Sequence, residues 1–274
     1  WGDAVLADAP AWRGDAGEDW QAQLKQAGDN HDGMHFFPFP DAPDRHGLLV
    51  VNHEYVNPTL HPHGMTYVDG KRPLAEVRKE QAAHGVSVIE VRKDAAGQWQ
   101  RVLPSRYNRR ISALTPLAVG GPLAGHPALR TLADPTGREV LGTLNNCAMG
   151  VTPWGTYLAC EENWHHYFVN RDRADWERRV SHRRYGVGNG ARSQYYAWES
   201  ADPRFDATPQ AEQAHGGYVN EPHRFGWVVE IDPFDPQGQP VKRTAFGRFC
   251  RECAVLSLGA DGRMAFYSGD DTKG

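Results

Sequence analysis

The chain has 274 residues, 30 of them basic and 34 acidic, for a net charge of −4. That length allows one large or two small domains with ample core. The charge balance leaves no basic surface suited to nucleic acid, and no apolar run approaches the roughly 18–20 residues of a membrane span. Twenty-nine glycines and 19 prolines fall between short alternating apolar runs, a pattern that predicts an all-β, turn-rich protein. Nine tryptophans and 13 histidines among such strands suit a propeller or barrel.

In chain order, a polar segment at 20–27 reads as helical, Asn30-His31-Asp32-Gly33 as a turn, and 34–39 (MHFFPF) as a short aromatic strand. Residues 46–52 (HGLLVVN) form a buried strand that delivers His53 and Glu54 to its end. Those two are either a polar loop start or ligands. After a Pro- and His-rich loop, 73–83 reads as a helix with proline in its first turn. Residues 84–92 follow as a strand, and 99–103 return across an Asp94–Gly97 turn as a hairpin. The same strand–turn–strand rhythm recurs at 227–232 and 254–267. It is the rhythm of propeller blades, without a strict repeat. Residues 107–134 read as irregular, and the glycines at 117–125 sit in no strand–GxGxxG–helix setting, so they give no nucleotide signal.

The richest stretch is 142–168, GTLNNCAMGVTPWGTYLACEENWHHYF. A turn at 152–155 leads into a strand at 156–160 that ends in Cys160-Glu161-Glu162. Strand-end carboxylates can meet a metal or solvent, and Asn145-Asn146-Cys147 adds amide oxygens and a thiolate. Hard oxygens suit Ca²⁺, whereas a thiolate calls for iron, zinc or copper. Residues 170–212 are charged and read as an excursion from the sheets, with the basic run at 178–184 a solvated face. Residues 224–232 read as a strand closed by Pro233. Glu230 and Asp232 share a face there, either to hold one cation or merely as a turn signal. Taking 248–256 as a strand places Arg248, Cys250 and Glu252 on one face and Arg251 on the other. Cys250 and Cys253 then diverge, which argues for unpaired thiols over a shared metal. No G-x-S-x-G elbow and no H-E-x-x-H helix is present. Histidines such as His84 and His223 read as satisfied core or loop residues.

NCAMGVTPWGTYLACEEN closely resembles the core motif of the PhoX-type alkaline phosphatases, exported bacterial phosphomonoesterases. WGD at Trp1, NHDG at Asn30, VNHEYVNP at Val51, HGVSVIEV at His84, RFGWVVEIDPFDP at Arg224, GRFCRE at Gly247 and YSGDD at Tyr267 agree in order, so the resemblance spans nearly the whole chain. Met149 departs from it, standing where a glycine is usual after the cysteine.

The resemblance implies a six-bladed β-propeller whose channel holds Fe³⁺ and Ca²⁺ around an oxo group. Carried onto this chain, it implies Cys147, Glu230 and Glu252 on iron, with Glu54, Glu161, Glu162 and Asp232 shared with calcium. Asp270 and Asp271 would be calcium-linked or structural, and either Arg248 or Arg251 would bind phosphate. It further implies small-molecule phosphate esters as substrates, and export to the periplasm or beyond by a twin-arginine route. We expect a monomer, and a chain partial at its C-terminal side because the family continues further. Two other readings keep part of this pattern: a calcium-dependent propeller hydrolase of phosphodiesters or lactones, which needs neither Cys147 nor an arginine clamp, and a non-catalytic calcium-binding propeller.

Overall fold

The computed structural model describes residues 1–272. The first sheet holds five strands, β1 (His31–Pro38), β2 (His46–His53), β3 (Gly85–Lys93), β4 (Trp99–Arg101) and β5 (Arg109–Ile111), with β4 and β5 both pairing β3. The second holds β6 (Pro116–Gly120), β7 (Glu139–Leu141), β8 (Asn146–Val151), β9 (Tyr157–Glu161), β10 (Val228–Ile231) and β11 (Val241–Arg243), in the order β7-β6-β11-β10-β9-β8. A hairpin of β12 (Val255–Leu258) and β13 (Met264–Tyr267) stands apart. Helices are few: α1 (Trp20–Gln23), α2 (Leu74–Ala83), α3 (Arg173–Arg178) and α4 (Val180–Tyr185). None of the helices is long and apolar enough to cross a membrane.

The chain is thus mostly β with little helix, and among the described residues its sheets do not close into a barrel. The hairpin of β3 and β4 and the hairpins at β10–β11 and β12–β13 follow the expected rhythm. Residues 107–134 are not irregular throughout, since they contain β5 and β6; these short strands are each held by a neighbour, β3 and β11 respectively. Residues 170–212 hold no strand of the named sheets, and they are packed into the core. Trp198 and Phe205 are fully buried, and Trp198 Nε1 donates to Glu80 Oε2 of α2 at 2.6 Å. Basic residues 178–184 are largely solvated apart from buried His182.

The two large sheets share one core. Leu48, Val50, Val86 and Val88 from the first pack with Leu117, Val140, Tyr157 and Val229 from the second. Their seam runs between β1, β2 and β8. Tyr157 Oη donates to Gly33 O at 2.8 Å and lies 2.9 Å from Asn52 Oδ1. A Cβ on Gly33 would fall 2.7 Å from Cys147 O, so only glycine lets β1 lie this close to β8.

The segment before β12 is the main departure from expectation. Residues 248–254 form no strand, because their amides pair with three different partners. Phe249 N donates to Gly226 O, Arg251 N to Glu161 O and Glu252 N to Gly269 O, at 3.4, 3.2 and 3.1 Å. The face assignment drawn from strand alternation fails there with it.

Candidate metal centre and anion site

The centre begins with an irregularity in β8. Asn146 pairs with Glu161 and Met149 with Ala159, so the register shifts between them and β8 bulges at Cys147 and Ala148. A bulge re-aims the side chain it carries. Asn52 at the end of β2 holds it in place, its amide donating to Cys147 O at 2.8 Å and Ala148 O at 3.0 Å. Asn145, in the left-handed region at φ 49°, starts the bulge and binds the chain after β9. Its Oδ1 accepts from Asn163 N at 2.6 Å and its carbonyl from Glu162 N at 3.0 Å.

This arrangement brings together Cys147, Glu162 just beyond β9, and Glu252 from the irregular segment. Their Sγ and carboxylate oxygens lie within 4.8 Å of one another. Glu54, just beyond β2, joins them: its carboxylate interacts with Asp32, Glu162 and Glu252. Burial first, then the charge of Asp32, raises Glu54 to about 7. Burial also raises Glu162 to about 8, with Glu252 adding to the rise and a hydrogen bond from Cys147 opposing it. The Cys147 thiol is pushed far above its ordinary range, by burial and then by the Glu162 charge. Among the described residues, no lysine or arginine forms an ion pair with Asp32, Glu54, Glu162 or Glu252. Four carboxyls and a thiol thus converge without a protein counter-charge, and a multivalent cation is the charge that would let all of them ionise.

Three expected carboxylates lie elsewhere. Glu161 is fully buried, and its carboxylate is saturated. Oε1 takes Lys242 Nζ at 2.7 Å and Thr143 Oγ1 at 2.8 Å, while Oε2 takes Gly226 N at 2.9 Å and Trp227 N at 3.1 Å. With these four donors and Leu144 N at 3.3 Å, both its oxygens are engaged by the protein. Glu230 and Asp232 each have protein partners of their own. Glu230 accepts from Trp154 Nε1 at 2.8 Å, Thr156 Oγ1 at 2.6 Å and Arg243 Nε at 2.5 Å. Asp232 lies past the end of β10 and caps its turn by accepting from Phe234 N at 2.9 Å. Asp270 and Asp271 brace the Cys250 backbone: Asp270 Oδ1 accepts from Cys250 N at 3.2 Å, and Asp271 N donates to Cys250 O at 3.0 Å.

The two candidate arginines differ sharply. Arg251 is 1 % exposed; it donates to Ser268 Oγ at 2.5 Å and to the Phe246 and Gly247 carbonyls at 2.9 Å each. Arg248 has one long hydrogen bond among the described residues, to Pro222 O at 3.4 Å. Its guanidinium lies over the Tyr185 ring at 3.9 Å and the Trp164 ring at 4.7 Å. Its charged neighbours are Tyr185 and Cys250. Burial lowers Arg248 to about 10, a range in which it stays charged at neutral pH.

All four cysteines are free, and Cys250 Sγ lies 3.5 Å from His165 Nδ1, not against Cys253. His84 bonds Glu80 O at 2.7 Å and Tyr167 Oη at 2.8 Å, and His223 is likewise satisfied on both nitrogens. His53 is buried, with Nε2 2.7 Å from Ser87 Oγ, and takes no part in the cluster. Asp32 is the acidic neighbour that reading NHDG as a turn overlooks; β1 begins at His31 and so carries Asp32.

The family model for alkaline phosphatase PhoX matches residues 1–274. Among solved structures, the chain is similar to Pseudomonas fluorescens PhoX in complex with vanadate, a transition state analogue, with 46 % identity and a TM-score of 0.89. The match covers 100 % of this chain and 44 % of that one, so the chain spans less than half the length of this relative. A search of curated proteins finds no match. The chain belongs to the PhoX alkaline phosphatase family.

Proposed function

We propose that the chain carries the metal centre of a phosphomonoesterase that releases phosphate from small phosphate esters. The observation that carries this reading is the convergence of Cys147, Glu162, Glu252 and Glu54 without a neutralising lysine or arginine. The donor set fits a mixed centre. A thiolate favours iron over calcium, while the surrounding carboxylates suit calcium. Cys147, Glu162 and Glu252 would hold iron, and Glu54 with Asp32 would extend the oxygen donors toward calcium. Such ions, when bound, neutralise the phosphoryl oxygens and provide an ionised oxygen nucleophile near neutral pH.

Arg248 complements that centre, because a guanidinium with most of its donors unspent can take a phosphoryl group by two parallel hydrogen bonds. Arg251 has three of its five N–H groups on Ser268 and two carbonyls and serves to shape the loop. Within the family resemblance, the two sheets and the hairpin read as blades of a larger six-bladed propeller. Export, twin-arginine transport and a monomeric state belong to the same reading. Hydrolysis of a chromogenic phosphomonoester, run beside a phosphodiester and a lactone, tests the substrate class. We expect monoester turnover that falls at least about 100-fold in Cys147→Ser. Turnover of the diester or lactone alone, unaffected by that change, contradicts the reading.

A further inference from the structure

We propose that Gly226, Trp164 and Tyr185 form a cradle that holds the guanidinium of Arg248, with Tyr185 as a positioning residue for phosphoryl binding. The inference rests on the phosphomonoesterase reading above and adds to it the device that aims the arginine. Three observations support it. Gly226 has φ +89°, and a Cβ there would fall 2.4 Å from Trp164 Nε1 and 2.9 Å from Arg248 Cγ. Only glycine therefore lets both side chains lie on this backbone. The backbone itself is pinned from below, since Glu161 Oε2 holds the amides of Gly226 and Trp227.

Tyr185 packs beside Trp164. It is the last residue of α4, which Gly186 ends in the left-handed conformation at φ 76°. Its ring lies 5.4 Å from that of Trp164. Its hydroxyl donates to Arg248 O at 2.8 Å, and its face carries the Arg248 guanidinium at 3.9 Å. One tyrosine thus holds both the backbone and the head group of the same arginine. The two rings hold the head group by cation–π contact, and apart from the bond to Pro222 O its N–H groups have no partner among the described residues and are left for a ligand. The alternative that these rings merely fill space does not account for an arginine so enclosed with a single 3.4 Å hydrogen bond.

The test is inhibition by inorganic phosphate and the split of KM from kcat in the metal-loaded protein, for Tyr185→Leu, Tyr185→Phe, Arg248→Ala and the double variant Tyr185→Leu/Arg248→Ala. Tyr185→Leu is expected to raise KM and the phosphate inhibition constant about tenfold, the scale of one cation–π contact, with iron and calcium content unchanged. Tyr185→Phe should shift both by about threefold or less, since it keeps the ring. The Leu change should add nothing on top of Arg248→Ala, because its effect runs through that arginine. Additive effects, loss of metal in Tyr185→Leu, or no change in either constant would each overturn the cradle. An active wild type with silent Tyr185 variants sinks this proposal and leaves the phosphatase reading standing. An inactive wild type that still binds phosphate through Tyr185 and Arg248 does the reverse.

Discussion

Glu161 and Glu162 are adjacent in the chain and opposite in fate. Glu161 ends β9 on the face that carries Tyr157 and Ala159 into the main core, and there it meets Lys242, Thr143 and three amides. Glu162 lies one residue beyond the strand, turns into the seam between the sheets, and finds Cys147 and Glu252. One carboxylate is satisfied by the protein and the other is left with like-charged company. The difference teaches that burial alone does not identify a metal ligand. What distinguishes Glu162 from Glu161 is the lack of protein donors around it.

The comparison can be broken most forcefully at Glu161. Glu161→Ala leaves Lys242 charged and buried without its partner, and urea unfolding should show a loss of about 3–5 kcal/mol. Glu162→Ala, by contrast, removes a source of repulsion, so the metal-free protein should lose less than about 1 kcal/mol. Equal losses would end the distinction. The next effect in size is at Asn52, which holds the Cys147 bulge from the neighbouring sheet. Asn52→Ala should cost about 1–3 kcal/mol by leaving the Cys147 and Ala148 carbonyls without its amide donor, and iron content should fall with it. Arg251→Lys, which loses part of a three-partner bonding pattern, should lower stability by about 1–2 kcal/mol while KM stays put. At the small end, Glu230→Gln should leave iron content at the wild-type level and cost at most about 1 kcal/mol, since its Arg243 partner is 42 % exposed. A loss of iron in Glu230→Gln would return that residue to the metal centre.

Much of this was legible in the sequence. Turn residues and alternation located β2, β3, the β3–β4 hairpin and the strand into Cys160-Glu161, and the family motifs singled out Cys147, Glu54, Glu162 and Glu252. The alternation of β9 also held a signal about Glu161, which shares parity with Tyr157 and Ala159 and so points into the core. Two things were beyond local pattern. The saturation of Glu161 depends on Lys242, 81 positions away, and no spacing rule reaches that far. The segment at 248–254 carries a strand-like pattern but distributes its amides among three remote segments, so parity assigned the wrong neighbours to Arg248 and Arg251. The partners of Glu230 and Asp232 were out of reach for a related reason. Their shared face is decided by Trp154, Thr156 and Arg243, which other turns and strands supply.

The central claim is that Cys147, Glu162 and Glu252 hold a metal that needs the thiolate. Elemental analysis for iron and calcium on the purified wild type, beside Cys147→Ser of verified fold, tests it most directly. The account predicts iron bound in the wild type and lost in Cys147→Ser, with calcium retained in both. Iron that is absent from the wild type, or present at the same level in both proteins, would contradict it.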